Sequence, residues 1–313
     1  MLSKKTIYLA QPRGFCAGVE RAILIVEEAL KKYGAPIYVR HEIIHNAYVV
    51  KDFESRGVVF INQLDKVPKG AILIFSAHGV SKAVRYEADE RQFQVFDATC
   101  PLVAKVHAEV VSLRERGYQI IMIGHRGHPE VEGTMGQVDS SIHLIEHVSD
   151  VEQLTFDKDE LLAYVTQTTL SVDETQEITA ALIKKYPQIH APKRQDICYA
   201  TQNRQDAVKA MIPHVDMVVV VGSQNSSNSK RLQELASSFQ VPAYLVDDPN
   251  QIKADWFKSV KNIGVTAGAS APESLTSKII EAINTRYRAT VVPMPGIEET
   301  ISFSLPKGLL QAA

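Results

Sequence analysis

The sequence predicts an α/β fold in which parallel sheets are covered by helices. Runs rich in β-branched residues alternate with amphipathic stretches along the chain, and this alternation is typical of parallel sheets with right-handed helical crossovers. Polar residues cluster just beyond the ends of the predicted strands, where open α/β sheets bind ligands. Each of the three cysteines, Cys16, Cys100 and Cys198, lies where a predicted strand gives way to a predicted helix.

The β-branched runs predict the strands in chain order. They cover residues 6–10, 37–41, 71–78, 94–99, 119–124, 161–168, 217–222, 243–247 and 262–267. Helices are predicted between most of them. Ser171 with Glu174, and Ser270 with Glu273, have the spacing of a capping box at a helix start.

A weak repeat around the three cysteines predicts three related lobes, because each cysteine opens a helical pattern. The predicted lobes are 1–97 with the N-terminal strand, 98–194 and 195–290. Pro187 and Pro192 mark the second boundary. The proline-containing tail, 291–313, is predicted to wrap over the body.

The composition limits the class of protein. The 313 residues are 45% hydrophobic, enough for a sizeable core, and the formal net charge of -2 gives no global basic field for nucleic acid or anionic membrane. The apolar N-terminal stretch is too short for a signal peptide, and no apolar run reaches membrane-spanning length. We therefore expect a cytoplasmic protein.

Three widely spaced thiols in a reducing compartment argue against a disulfide framework and favour a metal site. Three thiolates indicate zinc or an iron-sulfur centre. Zinc sites usually include a local Cys-x2-Cys pair, which this chain lacks. A four-iron cluster with three cysteine ligands would leave one iron without a protein thiolate. The alternative is three unrelated buried thiols.

Two groups of polar residues are candidates for ligand binding and proton transfer. Ser226, Ser227 and Asn228 follow a glycine-started turn and could offer hydroxyls and helix N-terminal amides to phosphate, although ordinary helix capping explains them as well. Glu130 lies in a Gly-His-Pro-Glu turn, and a glutamate close to a hydroxyl residue such as Thr168 can relay protons. A solvated surface loop is the alternative there.

Taken together, these segments resemble the 4-hydroxy-3-methylbut-2-enyl diphosphate reductase family over nearly the whole chain. The matching segments are PRGFCAGV at 12–19, HN at 45–46, SAHG at 76–79, DATCP at 97–101, GHPE at 127–130, QTTL at 167–170, Cys198, NSSNS at 225–229 and TAGAS at 266–270. The resemblance implies a trefoil of three α/β lobes around a 4Fe-4S cluster. It also implies the reductive formation of isopentenyl and dimethylallyl diphosphate, the last step of the non-mevalonate pathway.

The resemblance assigns a role to each candidate residue. Cys16, Cys100 and Cys198 would hold the cluster. The substrate diphosphate would bind to His45, His78, Ser226, Ser227, Asn228 and Ser270. His128 and Thr168 would contact the substrate, and Glu130 would supply protons with the help of Thr168. A small ferredoxin or flavodoxin would donate the electrons. Two other functions remain open from the sequence: a hydro-lyase that uses a similar cluster only as a Lewis acid, and a non-enzymatic iron-sulfur sensor.

Overall fold

The computed structural model describes residues 4–139, 142–306 and 308–309. The strands are β1 Thr6–Leu9, β2 Ile37–Arg40, β3 Val58–Ile61, β4 Ile72–Phe75, β5 Gln94–Asp97, β6 Gln119–Ile123, β7 His143–Ile145, β8 Leu162–Thr166, β9 Met217–Val221, β10 Ala243–Val246, β11 Asn262–Ala267 and β12 Thr290–Pro293. The helices are α1 Ala17–Tyr33, α2 Ala47–Ser55, α3 Lys82–Glu90, α4 Pro101–Glu115, α5 Pro129–Met135, α6 Val148–Gln153, α7 Val172–Lys185, α8 Tyr199–Met211, α9 Ser227–Ser238 and α10 Glu273–Tyr287. The predicted α/β class is confirmed.

The strands form three parallel sheets. Their orders are β10-β9-β11-β1-β12, β3-β2-β4-β5 and β7-β6-β8. Beyond β8, an isolated parallel bridge joins Ala163 to His190. If this bridge is counted as a short fourth strand, all three sheets contain the order second-first-third-fourth. In this numbering the first strands are β9, β2 and β6, and the third strands are β11, β4 and β8.

The N-terminal strand does not lie in the sheet of the first predicted lobe. The sequence assigns residues 6–10 to the first lobe, but β1 pairs in parallel with β11 and β12. It therefore takes the fourth position in the sheet of β9, β10 and β11, although it comes first in the chain. Hydrophobic patterning marks a strand but carries no information about its partner.

Every predicted strand is present, but β3, β7 and β12 were not predicted. Strand β7 has only three residues, and all four residues of β12 are exposed, so neither shows the buried run that marks a strand in the sequence. Cys198 also differs from the prediction. It follows a loop whose only pairing to β8, among the described residues, is the bridge at His190.

Contact clustering divides the chain into two compact units. The first unit contains the described residues of Met1–Val19, Ile44–Phe53 and Tyr199–Ser302. The second unit contains those of Glu20–Ile43, Glu54–Cys198 and Phe303–Ala313. The division into three lobes stays a prediction. Cys16 belongs to the first unit, whereas Cys100 and Cys198 belong to the second.

Strand β9 is buried on both faces of its sheet, as is typical of central strands in parallel sheets. All five residues of β9 are buried. Val218 and Val220 pack with Leu232 of α9 on one face, while Val219 packs with Ile279 of α10 on the other. The continuous valine run in the sequence is therefore explained by burial on both faces. Within the described residues, no helix is long and apolar enough to cross a membrane.

Candidate active site

Apart from the cysteines, the predicted site residues lie just beyond the carboxyl ends of the first and third strands of each sheet, either in the following loop or in the first turn of the following helix. His45 follows β2 and His78 follows β4; His128 and Glu130 follow β6, and Thr168 follows β8. Ser226 to Asn228 follow β9, and Ser270 follows β11. In sheets of this order, the crevice between the first and third strands is the topological switch point, where ligands bind.

The backbone N–H of each cysteine makes an equivalent hydrogen bond in its own sheet. The N–H of Cys16 donates to the carbonyl of Ala269 at 3.2 Å, that of Cys100 to Ala77 at 2.9 Å, and that of Cys198 to Thr168 at 3.1 Å. Each acceptor lies two residues beyond the end of the third strand, β11, β4 or β8. The repeat inferred from the cysteines is therefore present in the local geometry of the three sheets.

In the second unit, the Glu130 carboxylate is buried against Thr168. The backbone N–H of Thr168 donates to Oε1 at 2.6 Å, and the Thr168 hydroxyl donates to Oε2 at 3.0 Å. Glu130 is only 3% exposed. The alternative of a solvated surface loop is therefore wrong for Glu130.

Burial raises the pKa of Glu130 from its ordinary value of 4.5 to about 7. The two hydrogen bonds from Thr168 lower the pKa, and the nearby charge of Asp196 raises it, but desolvation is the largest cause. A carboxyl group with a pKa near 7 exists in both protonation states at neutral pH. It is therefore suited to donate a proton and to be reprotonated.

Two histidines of the second unit meet edge to face. The rings of His78 and His128 have centroids 5.7 Å apart with an interplanar angle of 89°. His128 caps helix α5, since its Nδ1 accepts the N–H of Glu130 at 3.1 Å. The proton of a neutral His128 ring is then on Nε2. The packing of α5 against the loop at Gly79 is close, because a Cβ added at Gly133 would lie 3.2 Å from the Gly79 carbonyl carbon.

In the first unit, the loop after β11 contacts both the backbone at His45 and the start of α9. The Ser270 hydroxyl donates to the carbonyl of His45 at 3.0 Å and lies 3.2 Å from the Ser226 hydroxyl. The predicted capping box at Ser270 is wrong, because Pro272 is the residue at the N-cap of α10. Ser226 does cap α9, accepting the N–H of Ser229 at 3.3 Å. The start of α9 can also attract an anion, because a helix N-terminus carries a partial positive charge.

Asn228 completes this group of buried polar side chains. Its Oδ1 accepts the N–H of Ala269 at 2.8 Å, and its Nδ2 lies 3.4 Å from the Thr201 hydroxyl. Ser226, Ser227, Asn228 and Ser270 are all at most 9% exposed. In the first unit, hydroxyl and amide groups thus converge at a helix N-terminus, an arrangement suited to phosphate oxygens.

Comparison with known proteins shows the family. The sequence profile of the LytB protein family matches residues 7–284. The chain belongs to the LytB protein family. It is 61% identical over 303 residues to the 4-hydroxy-3-methylbut-2-enyl diphosphate reductase of Ralstonia nicotianae, covering 97% of this chain and 94% of the relative. The reductase of the same name from Azoarcus sp. is 58% identical over 311 residues, covering 99% of this chain and 100% of the relative.

Two solved structures resemble this LytB family member. The E-1-hydroxy-2-methyl-but-2-enyl-4-diphosphate reductase of Plasmodium falciparum matches with a TM-score of 0.95 and 42% identity, covering 98% of this chain and 97% of that one. An (E)-4-hydroxy-3-methyl-but-2-enyl diphosphate reductase, described as the terminal enzyme of the non-mevalonate pathway, matches with a TM-score of 0.64 and 30% identity. That match covers 90% of this chain and 99% of the other.

The three cysteine positions of this LytB family member fit thiolate ligands. None of them forms a disulfide, and each directly precedes helix α1, α4 or α8, whose N-terminus stabilises an anionic sulfur. At Cys16, burial raises the pKa of the thiol, while the charge of Arg204 and the N–H groups of Val19 and Gly18, which hydrogen-bond the sulfur, lower it. Within the described chain, no three His, Cys, Asp or Glu side chains form the ligand set of a single ion. A four-iron cluster does not require such a set, because each cysteine binds a different iron.

No role is assigned from the sequence to three buried residues, Asn46, Asp196 and Arg204, although Asn46 is part of the matching segment at 45–46. Asp196 has a side chain with 0% exposure; it accepts the N–H of Thr166 at 3.0 Å and pairs with Lys105 at 3.2 Å. Burial raises the pKa of Asp196 to about 6. Asn46 caps α2 through Oδ1, which accepts the N–H of Val49 at 3.0 Å.

Arg204 is the third of these residues, and its side chain is fully buried. Charged and amide residues in helices and loops are usually exposed to solvent, so no local pattern shows that these three are buried. The buried carboxylate, the histidine pair and the serine cluster are each formed by residues far apart in the sequence. Only the fold brings their partners together.

Proposed function

We propose that this chain reductively removes the hydroxyl group of 4-hydroxy-3-methylbut-2-enyl diphosphate to form isopentenyl and dimethylallyl diphosphate. This reaction is the last step of the non-mevalonate isoprenoid pathway. Relatives that are 58 to 61% identical over 97 to 99% of this chain carry the name of the corresponding reductase. The structural observation that carries the proposal is the buried Glu130 carboxyl, held by Thr168, with a pKa of about 7.

The reaction consumes two electrons and two protons for each hydroxyl released as water. One proton leaves with the hydroxyl oxygen, and the other forms the new C–H bond at one end or the other of the allyl group. Glu130 is the proton donor, and the Thr168 hydroxyl contacts both this carboxyl and the substrate. Because the carboxyl is desolvated, it keeps its proton at a pH where a surface glutamate would have lost it.

The diphosphate is held by His45, His78, Ser226, Ser227, Asn228 and Ser270, and His128 contacts the substrate. The hydroxyls, the amide and the N-terminus of α9 donate hydrogen bonds to the phosphate oxygens, while the two histidines offset their charge. Two features support this assignment: the serine and asparagine side chains are buried, and Ser226, Ser227 and Asn228 lie at the start of α9. Fixing the diphosphate would orient the allylic hydroxyl for reaction.

Cys16, Cys100 and Cys198 hold a 4Fe-4S cluster in this proposal. When bound, such a cluster supplies single electrons and one Lewis-acidic iron without a protein thiolate. The electrons come from a small ferredoxin or flavodoxin, and the protein works in the cytoplasm. The three N–H bonds that fix the cysteine backbones, and the helix that follows each cysteine, support this ligand set.

The test is an anaerobic assay of the reconstituted protein with dithionite-reduced viologen dye. We expect dye oxidation that depends on the allylic diphosphate, with isopentenyl and dimethylallyl diphosphate as products. Turnover of the substrate without dye oxidation would instead indicate a hydro-lyase. A reducible cluster with no turnover would indicate a sensor, and either result would overturn the proposal.

A further inference from the structure

A buried arginine holds the backbone that leads into Cys16. Arg204, on α8 of the first unit, has a side chain with 0% exposure. Its Nη2 and Nε donate to the carbonyl of Gly14 at 2.7 Å and 3.1 Å, and Nη2 also donates to the carbonyl of Phe15 at 3.3 Å. Gly14 and Phe15 directly precede the cysteine. One guanidinium therefore holds two consecutive carbonyls before the cysteine.

Glu299, in the tail that follows β12, pairs with this guanidinium. Its Oε1 accepts from Nη1 of Arg204 at 3.0 Å and its Oε2 accepts from Nη2 at 3.2 Å. Asn203 donates to the same Oε1 at 3.0 Å, and Nη1 also donates to the carbonyl of Ala200 at 2.8 Å. Every nitrogen of the guanidinium thus has a hydrogen-bond acceptor in the first unit.

This arrangement is more than helix packing requires. Burying an ion pair carries a desolvation cost, and well-packed hydrophobic residues often stabilise a fold equally well. Hydrophobic side chains cannot, however, hold two carbonyl groups in a fixed orientation. The planar fork of arginine can, and a lysine in its place would keep the charge but lose this geometry.

The two charges act on the Cys16 sulfur in opposite directions. Desolvation by burial disfavours an anionic sulfur there, the positive charge of Arg204 favours it, and the negative charge of Glu299 opposes it. Because the site is desolvated, the interaction is screened less than a surface interaction would be. Changing either charge should therefore alter the electrostatic potential at this cysteine.

We propose that Arg204 and Glu299 form a charged clamp that positions Cys16 as a ligand and tunes the reduction potential of the group it binds. Both are positioning residues. The inference rests on the proposed function, in which Cys16 is a cluster ligand. It also gives the C-terminal tail a role in the reaction, through Glu299.

The test compares Arg204→Gln, Arg204→Lys and Glu299→Gln with the wild-type protein after anaerobic reconstitution. The midpoint potential of the cluster is measured by redox titration followed by electron paramagnetic resonance. We expect Arg204→Gln to lower the potential and Glu299→Gln to raise it, because each removes one charge of opposite sign. Arg204→Lys should keep the potential near wild type but lose the cluster faster. Glu234→Gln, which removes an exposed partner of Arg231 on α9, is the control and should not shift the potential.

A second readout needs no cluster. Amide hydrogen exchange in the cluster-free protein should be faster at residues 14–16 in Arg204→Gln than in wild type. If Arg204→Gln fails to fold, Glu299→Gln keeps the test decisive, because its side chain is near the surface and the substitution preserves its shape. A wild-type protein without a reducible cluster or turnover would overturn the proposed function. A functional wild type whose potential is unchanged in Glu299→Gln, or is lowered, would overturn the clamp alone.

Discussion

Thr168 donates both its backbone N–H and its hydroxyl to the carboxylate of Glu130, at 2.6 Å and 3.0 Å. The same residue accepts the N–H of Cys198 through its carbonyl at 3.1 Å. One threonine therefore joins the proposed proton donor to the loop that carries a proposed cluster ligand. The geometry around Glu130 is consequently fixed by backbone atoms as well as by side chains.

Replacing Glu130 with Gln should abolish most turnover while leaving the cluster in place. The amide keeps the shape of the side chain but cannot donate a carboxyl proton, and we expect turnover to fall by roughly 100-fold or more. The measurement is the viologen assay together with the absorption spectrum of the cluster. Glu132→Gln, at an exposed position on the same helix, is the control and should behave like wild type. Turnover near wild type in Glu130→Gln would remove this residue from the proton path.

The pH dependence of turnover should follow the protonation of Glu130. Turnover should fall as the pH rises through about 7, because the carboxyl loses its proton. The Thr168 hydroxyl lowers the pKa of Glu130, so Thr168→Val should move this fall to higher pH. Thr168→Ser keeps a hydroxyl and should restore the wild-type profile. Identical profiles for the valine and serine variants would contradict the relay.

Two buried groups should affect the free energy of unfolding in opposite directions over the same pH range. Because folding raises the pKa of Glu130, this residue increases the free energy of unfolding below pH 4.5, and the increase is lost as the pH rises through about 7. Burial lowers the pKa of His107 from 6.5 to about 4. This residue therefore increases the free energy of unfolding above pH 6.5, and the increase is lost as the pH falls through about 4. Each shift corresponds to about 3 kcal/mol.

Single variants separate these two contributions. Between pH 7 and pH 4.5, acidification should destabilise Glu130→Gln more than wild type, because only the histidine contribution remains. His107→Leu should instead be destabilised less than wild type over this range. Urea unfolding at several pH values measures both effects. Parallel curves for all three proteins would contradict the assigned pKa directions.

Gly79 should not tolerate a side chain, because it packs against His107. Its φ is +78°, and a Cβ there would lie 2.7 Å from Cε1 of His107. We expect Gly79→Ala to cost about 1 to 2 kcal/mol for the backbone conformation and about 1 to 3 kcal/mol for the overlap. Gly117 has a φ of +83° with no atom within 4 Å of its added Cβ, so Gly117→Ala measures the conformational cost alone. Equal destabilisation of the two variants in urea would contradict the packing argument.

Asn228→Asp should weaken substrate binding more than it slows the reaction. The aspartate can still accept the N–H of Ala269, but it replaces a donor with a negative charge beside the proposed diphosphate. We expect KM to rise by roughly 10-fold or more, because like charges repel strongly at a buried site. Gln224→Glu adds the same charge at an exposed position of the same loop and serves as the control. A larger loss in kcat than in KM would contradict a binding role.

Some residues of the candidate site could be predicted from the sequence, and others could not. Glu130 and Thr168 could be named because a Gly-His-Pro-Glu turn and a polar strand end are local features. Asp196, which affects the pKa of Glu130, could not be named, because its partners Thr166 and Lys105 are far from it in the chain. Ser270 was assigned a capping role from spacing alone. In the fold its hydroxyl instead contacts the carbonyl of His45.

The sequence by itself determined the α/β class, nine of the twelve strands that the structure describes and the positions of the cysteines at helix starts. These features depend on local hydrophobic patterns and turn residues, which a single stretch of chain contains. Only the tertiary structure decided that β1 joins the sheet of β9 and β11 and that a buried Arg204 pairs with Glu299 beside the Cys16 loop. Strand partners and burial depend on contacts between distant segments, and no local pattern records them.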